Sequence, residues 1–240
     1  MRVALVDADI IAFRCSASCK GDDPIEIANL RADKLVHQIL DATQAEAYEL
    51  FISGTENFRY DIYPDYKANR RDSVDPIYRQ ACKEFLVVEW LAQVSEGYEA
   101  DDAIGIEHSR FKAQGDIPII CSIDKDFHQF AGRFYNFVTE KHYEISKDEA
   151  LRNFYKQLIL GDKTDNIPGY DGKARQKPTK IIQYYYDLIG LAETEWGMYN
   201  QALDAFCNDG GQTQDDLHLT AQLCHILRTR EDKWKPPTPE

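Results

Sequence analysis

The chain reads as an α/β protein built on a mostly parallel sheet flanked by helices. Two observations predict this. Up to about residue 146, short apolar runs alternate with segments of helical period, the pattern of strands joined by crossover helices. The apolar runs also end in carboxylates: Asp7 follows Val3–Val6, Asp124 follows Ile117–Ile123, and Gly161-Asp162 follows Leu158–Leu160. Parallel strands deliver such residues to one edge of a sheet.

Residues 2–7 (Arg-Val-Ala-Leu-Val-Asp) predict a short buried strand. Residues 8–18 and about 26–44 predict helices, the second with Ile27, Leu30, Leu35, Ile39 and Leu40 on a rough stripe. Residues 47–52 are the second strand, ending at Ser53-Gly54. Residues 55–75, rich in Tyr, Arg and Asp and containing Pro64, are irregular. Residues 76–92 are helical, with Pro76 suited to a first turn. A strand at about 93–96 precedes a turn at Gly97, and residues 100–113 are a helix. Residues 117–123 are a strand followed by a helical turn; 133–138 and 142–145 are short strands. From Lys147 the chain turns mostly helical, at about 147–160, 177–190, 194–208 and 214–229. The tail from Lys233 has little to bury and is expected to be loose.

Forty-one acidic residues against 28 basic ones give a formal net charge of −13. Taken alone, this balance counts against a nucleic-acid partner, because phosphate binding needs positive surface. The basic residues are concentrated locally, however: Lys67, Arg70 and Arg71 within five positions, and Lys173, Arg175, Lys177 and Lys180 within eight. No apolar run approaches the ~20 residues that cross a bilayer. Residues 1–13 open directly on a strand pattern, not a leader. A cytoplasmic location without membrane contact is expected. The six cysteines contain no Cys-x-x-Cys pair. Neither a zinc site nor a disulfide framework is expected, and Cys82 and Cys121 read as buried thiols.

The chemistry lies in nine acidic residues in short clusters: Asp7 and Asp9; Glu99, Asp101 and Asp102; Asp124 and Asp126; Asp162 and Asp165. So many negative charges on one edge need cations between them. Hard oxygen donors suit Mg²⁺ or Mn²⁺. The set predicts a two-metal phosphoryl-transfer enzyme. Each cluster also has a structural reading. Asp7 and, more so, Asp9 suit a helix cap. Acidic residues at 99–102 suit a helix N-terminus, although three in four positions exceed what a cap needs. Glu99 and Asp102 are expected on one helical face, with Asp101 about 100° away and reaching a metal through a water or from a different edge. Asp124 and Asp126 flank Lys125, a local counter-ion. Asp162 and Asp165 can share one cation in a segment bent by Gly161, Pro168 and Gly169.

Together these residues resemble the 5′-nuclease family: flap endonucleases, the N-terminal nuclease domain of bacterial DNA polymerase I, and phage 5′–3′ exonucleases. The resemblance runs from residue 3 to about 170. It rests on Val6-Asp7 followed by Phe13-Arg14, and on Tyr66-Lys67-Ala68-Asn69-Arg70. It continues with Gly97-Tyr98-Glu99-Ala100-Asp101-Asp102, Ser122-Ile123-Asp124-Lys125-Asp126 with Gln129, and Gly161-Asp162 to Gly169. It implies a PIN-like catalytic domain at 1–165 with a helical arch over the active site, and a C-terminal helical, DNA-binding region at 166–240. Asp7, Glu99, Asp101 and Asp102 would hold one Mg²⁺ (or Mn²⁺). Asp124, Asp126, Asp162 and Asp165 would hold a second, ~4 Å away. Lys67 and Arg70 would offset charge on the scissile phosphate. Tyr66 would stack on the terminal base. Arg14, Arg71, Lys173, Arg175, Lys177 and Lys180 are the further candidate substrate contacts.

Two departures from that pattern stand out. The family usually carries another metal-site Asp at the end of the second strand, where this chain has Ser53. Its Gly-rich hairpin for duplex backbone is replaced at 170–178 by a segment with basic side chains. The implied activity is a monomeric, Mg²⁺-dependent 5′–3′ exonuclease or structure-specific flap endonuclease acting on DNA in a bacterial or phage-infected cell. Three alternatives stay open. One is an RNA-directed nuclease of the same fold. A second is a catalytically weak nucleic-acid junction binder, suggested by Ser53 and the altered hairpin. The third is a haloacid-dehalogenase-type phosphatase, in which Asp7 attacks phosphorus and Asp9 is the acid/base.

Overall fold

The computed structural model describes residues 1–71 and 73–239; Asp72, in the stretch predicted to be irregular, and Glu240, in the predicted loose tail, lie outside the described residues. Strand β1 (Arg2–Asp7) is apolar on both sides, and both sides are buried. Such a strand belongs at the centre of a parallel sheet. It pairs in parallel with β2 (Ala47–Ser53) on one side and, on the other, with a strand at Ile117–Cys121. β3 (Gln93–Ser95) lies beyond β2. Beyond Ile117–Cys121, which is β4, lie β5 (Gly132–Asn136) in parallel and β6 (Lys141–Ile145) antiparallel. The order is β3-β2-β1-β4-β5-β6. The C-terminal ends of β1, β2 and β4 therefore share one edge.

Helices α1 (Ala8–Ala17) and α2 (Ile25–Thr43) follow β1; the short α3 (Arg59–Ile62) and α4 (Arg79–Trp90) follow β2. α1, α2 and α4 cover one face, burying Ile11, Val36, Ile39 and Leu86 against Ala4, Val6, Leu50 and Ile52. α5 (Ala100–Ala113) covers the other, setting Ile104 and Phe111 among Val3, Leu5, Phe51 and Ile120. Each large aliphatic side chain buried this way contributes ~1.5–3 kcal/mol. The alternation of β1 is thus read out as Val3 and Leu5 on one face, Ala4 and Val6 on the other.

The later helices are α6 (Lys147–Leu160), α7 (Lys180–Leu191), α8 (Glu195–Leu203), which runs on into a π-type turn (Asp204–Asp209), and α9 (Gln214–Cys224). Ser146, Thr179, Thr194 and Thr213 cap their N-termini, each side chain accepting a backbone N–H. Their core gathers Phe154, Tyr155, Leu158, Ile159, Ile182, Ile189, Tyr199 and Phe206. α6 also lends Ala150 to the sheet-side core, so it belongs to both layers. Among the described residues, no helix is long and apolar enough to cross a membrane.

Several boundaries differ from expectation. α4 starts at Arg79, so Pro76 precedes the helix; its carbonyl accepts from Arg79 N at 2.9 Å. β4 stops at Cys121, because Ser122 turns its hydroxyl to Asp7. α9 stops at Cys224, and residues 225–228 run back across α5. There Ile226 N donates to Gln129 Oε1 at 3.0 Å and Leu227 N to Asp102 Oδ1 at 3.0 Å. Gly105 permits this crossing, since a Cβ there would stand 2.5 Å from the Leu227 carbonyl oxygen. The tail is anchored at Trp234, which is buried among Phe154, Tyr199 and His218.

Candidate functional site

Asp7 ends β1 and begins α1. Its Oδ1 accepts the Ile10 N–H (3.1 Å) and its Oδ2 the Ser122 hydroxyl (2.8 Å), which orient the carboxylate inside the protein. Burial, then repulsion from Asp9, push its pKa up to about 7.

Asp101 and Asp102 open α5; both are expected to hold a metal, and the structure separates them. Asp102, expected as a metal ligand on the face of Glu99, is fully buried. Arg59 grips both of its oxygens (2.6 and 2.9 Å), while Glu99 N and Leu227 N donate to them as well. That carboxylate is saturated. Asp101, expected to point elsewhere, is the one turned toward the acidic cluster. Burial and then repulsion from Asp7, Asp124 and Glu99 hold its carboxyl well above the usual range.

Asp124 and Asp126 lie just beyond β4. Asp126 N donates to Asp124 Oδ1 at 2.9 Å, which closes the tight turn. Burial raises the pKa of both, and Asp126 is further raised by Asp124, Asp162 and Asp165. The last pair sits in a loop closed by two hydrogen bonds between Asp162 and Ile167 (2.9 and 2.8 Å). Gly161, with φ of +67°, and Gly169 pack back to back there. A Cβ on Gly169 would come 2.4 Å from Gly161 N, so only glycine fits. Asp162 Oδ1 accepts from Thr164 N at 2.6 Å. Asp124, Asp126, Asp162 and Asp165 line an open cleft of about 650 Å³, with Arg70 and Arg175 on its walls.

The segment expected to arch over the site is stitched to this loop. Lys67 N donates to the Asp165 carbonyl at 2.8 Å, Arg70 Nε to the Thr164 carbonyl at 3.1 Å, and Asn69 Nδ2 to the Lys163 carbonyl at 2.7 Å. Lys67 Nζ pairs with Glu99 and stands 3.5 Å from Asp165; Arg70 pairs with Asp165. Tyr66 corrects another expectation. Its side chain is only 2% exposed, so no base can stack on it. Its hydroxyl instead lies between Glu99 Oε2 (2.9 Å) and Asp165 Oδ2 (3.1 Å).

Asp9 accepts from Ser53 N at 2.7 Å and pairs with Lys83 at 2.5 Å. Of the other candidate contacts, Arg14, Arg71, Lys177 and Lys180 are exposed. Arg71 donates to the Pro64 carbonyl at 2.9 Å. Lys173 (3.0 Å) and Arg175 (2.6 Å) are both held by Asp171. Sequence reasoning missed Arg59, Lys83 and the bond from Ser122. Ser122 lies two residues before Asp124 in a motif already singled out; Arg59 sits in a patternless stretch that gives no signal.

The donor set is all carboxylate, with Asp7 buried and the others half-buried, and Lys67 and Arg70 pair with it. That chemistry fits a hard divalent cation. The fit is electrostatic and not preset in shape: among the described residues, no three acidic, His or Cys side chains form a ready group for a metal ion.

The 5′–3′ exonuclease N-terminal, resolvase-like domain matches residues 2–156. The 5′–3′ exonuclease of Aquifex aeolicus is 28% identical over 74% of this chain and 63% of its own length. The thermostable DNA polymerase I of Thermus filiformis is 23% identical over 94% of this chain but only 28% of its own length, so the chain spans about a quarter of that relative. The bacteriophage T5 flap endonuclease, solved in a complex with DNA and metal ions, shares the fold with a TM-score of 0.58 at 17% identity, covering 93% of this chain and 98% of that one. By the match over residues 2–156, the chain belongs to the 5′–3′ exonuclease family.

Proposed function

We propose that the protein is a Mg²⁺- (or Mn²⁺-) dependent 5′ nuclease that hydrolyses phosphodiesters at the 5′ ends or flaps of DNA. One observation carries this: carboxylates from four separate stretches gather at the C-terminal edge of a parallel sheet, with Lys67 and Arg70 reaching into the same cluster. Asp7, Glu99, Asp101 and Asp124 would hold one ion; Asp126, Asp162 and Asp165, with Asp124 shared, would hold the second. When bound, the ions supply Lewis-acid polarisation of the phosphate and activation of water.

The chain's own residues set up the rest. Ser122 and Ile10 N fix the Asp7 carboxylate. Tyr66 ties Glu99 to Asp165. Lys67 and Arg70 are the cations that offset negative charge building on the phosphate oxygens. The DNA complex of the T5 enzyme supports DNA as the substrate. A catalytic region at 1–165, completed by the return of residues 225–228, and a helical region at 166–240 bearing Lys173, Arg175, Lys177 and Lys180 toward the duplex are part of the same proposal. The phosphatase reading needs Asp9 free as an acid, whereas Ser53 and Lys83 engage it.

The test is a 5′-labelled flap duplex incubated with the protein in Mg²⁺ and in EDTA. Short 5′ products are expected with Mg²⁺ alone, and none with Asp124→Ala or Asp162→Ala. Binding of the duplex without any metal-dependent product would leave only the junction binder.

A further inference from the structure

Ser53, Asp9 and Lys83 form a connected chain of contacts beside the carboxylate cluster. Lys83, on α4, places Nζ 2.5 Å from Asp9 Oδ1 as an ion pair. The other oxygen of Asp9, in the first turn of α1, accepts the Ser53 N–H at 2.7 Å. The Ser53 hydroxyl in turn accepts the N–H of Ala100 at 2.9 Å. Ala100 is the first residue of α5, and Asp101 is the next.

These contacts join α4, α1, the end of β2 and the start of α5, beside the grip of Arg59 on Asp102. The N–H of Ala100 is one of the unpaired donors of a helix start, which need a partner from outside the helix. Ser53 ends β2, level with Ser95 of β3, and its Oγ faces α5. Asp9 closes the link from α1, which Asp7 itself caps. The relay therefore sets the start of α5, and with it Asp101, relative to the end of β1 and Asp7. The placement of these two carboxylates decides whether one cation can reach both.

We propose that Asp9 and Ser53 are positioning residues that hold Asp101 against Asp7 for a shared cation, with Lys83 balancing the charge of Asp9. In this arrangement Ser53 acts through its hydroxyl and its N–H as a strut between α1 and α5, and Asp9 acts as an acceptor, not as a ligand. The inference rests on the proposed metal site.

The experiment measures Mn²⁺ affinity by electron paramagnetic resonance of the free ion, alongside steady-state cleavage of a flap duplex and circular dichroism for folding. Asp9→Ala and Ser53→Ala are each expected to weaken Mn²⁺ binding and slow kcat by roughly 10–100-fold, the usual cost of losing a group that orients a metal ligand. KM for the duplex is expected to stay unchanged. The double variant Asp9→Asn with Lys83→Met keeps an oxygen acceptor for Ser53 N without leaving a lone charge, and is expected to restore most of the affinity. If that double variant binds Mn²⁺ as poorly as Asp9→Ala, the negative charge itself matters, Asp9 is a ligand, and the positioning role is overturned. Wild-type affinity and kcat in Ser53→Ala would overturn it equally, and that variant decides the matter should Asp9→Ala fail to fold. A wild-type protein that binds Mn²⁺ but cleaves nothing would refute the nuclease reading while the affinities still decide the relay.

Discussion

Asp101 and Asp102 are neighbours in α5, yet Asp102 is locked in a two-pronged ion pair with Arg59 while Asp101 faces Asp7 and Asp124. One hundred degrees of helix separate a carboxylate paired inside the fold from one at the proposed metal site.

Asp102→Asn leaves the buried Arg59 guanidinium short of its counter-charge. Breaking one side of such a pair costs about 3–5 kcal/mol. Urea denaturation of the metal-free protein is expected to show a loss of that size. A change under about 1 kcal/mol would mean that Arg59 finds another partner.

Asp101→Asn is expected to do the opposite to stability while abolishing cleavage. The folded protein holds the Asp101 carboxyl protonated above its ordinary pKa, because burial and its acidic neighbours disfavour the charge. The unfolded chain gives up that proton once the pH passes about 3.9. Between that pH and the raised folded value the native state binds the extra proton, so rising pH erodes stability. In EDTA at pH 7 the Asn variant is therefore expected to be more stable than wild type, with the gap closing toward pH 4. Equal stability at both pH values would show that Asp101 is not under electrostatic strain.

Tyr66→Phe removes the hydroxyl between Glu99 and Asp165. Losing hydrogen bonds to charged, half-buried partners is expected to cost about 1–3 kcal/mol. Quenching of a fluorescent base analogue at the 5′ terminus should be unaffected, since the ring is buried. Loss of that quenching in the Phe variant, or more so in Tyr66→Ala with the fold intact, would restore the stacking role.

His108 is buried beside Phe130, and burial, aided by Lys112 and Arg228, pushes its pKa down to about 4. In the unfolded chain it titrates near 6.5. Between those values the unfolded state carries the extra proton, so stability falls as the pH drops from 6.5 toward 4. The full loss approaches about 3 kcal/mol. It is expected in pH-dependent denaturation and flattened in His108→Gln. An NMR midpoint for His108 near 6.5 would contradict the burial argument.

Much of this was legible in the chain. β1 and Asp7 were readable because an apolar run ends abruptly in a carboxylate, and the loop at 161–169 because its glycines mark backbone that no other residue can follow. The phase of α5 was not. Which of Asp101 and Asp102 turns inward depends on Arg59, contributed from a stretch without periodicity. Tyr66 next to Lys67 looked like a substrate contact, but burial is decided by Glu99 and Asp165, far away in sequence. The same holds for Trp234, whose partners in α6 and α8 make an anchor of a segment that looks polar and Pro-rich on its own.

The return of the chain after α9 has a practical consequence. Arg59 spends donors on the carbonyls of Leu223 and His225, Asp102 accepts from Leu227, and Gln129 accepts from Ile226. A truncation after Cys224, or a fragment stopped at 165, would strip partners from groups sealed beneath the sheet layer. Neither would yield a smaller working enzyme; the expected product is insoluble polypeptide.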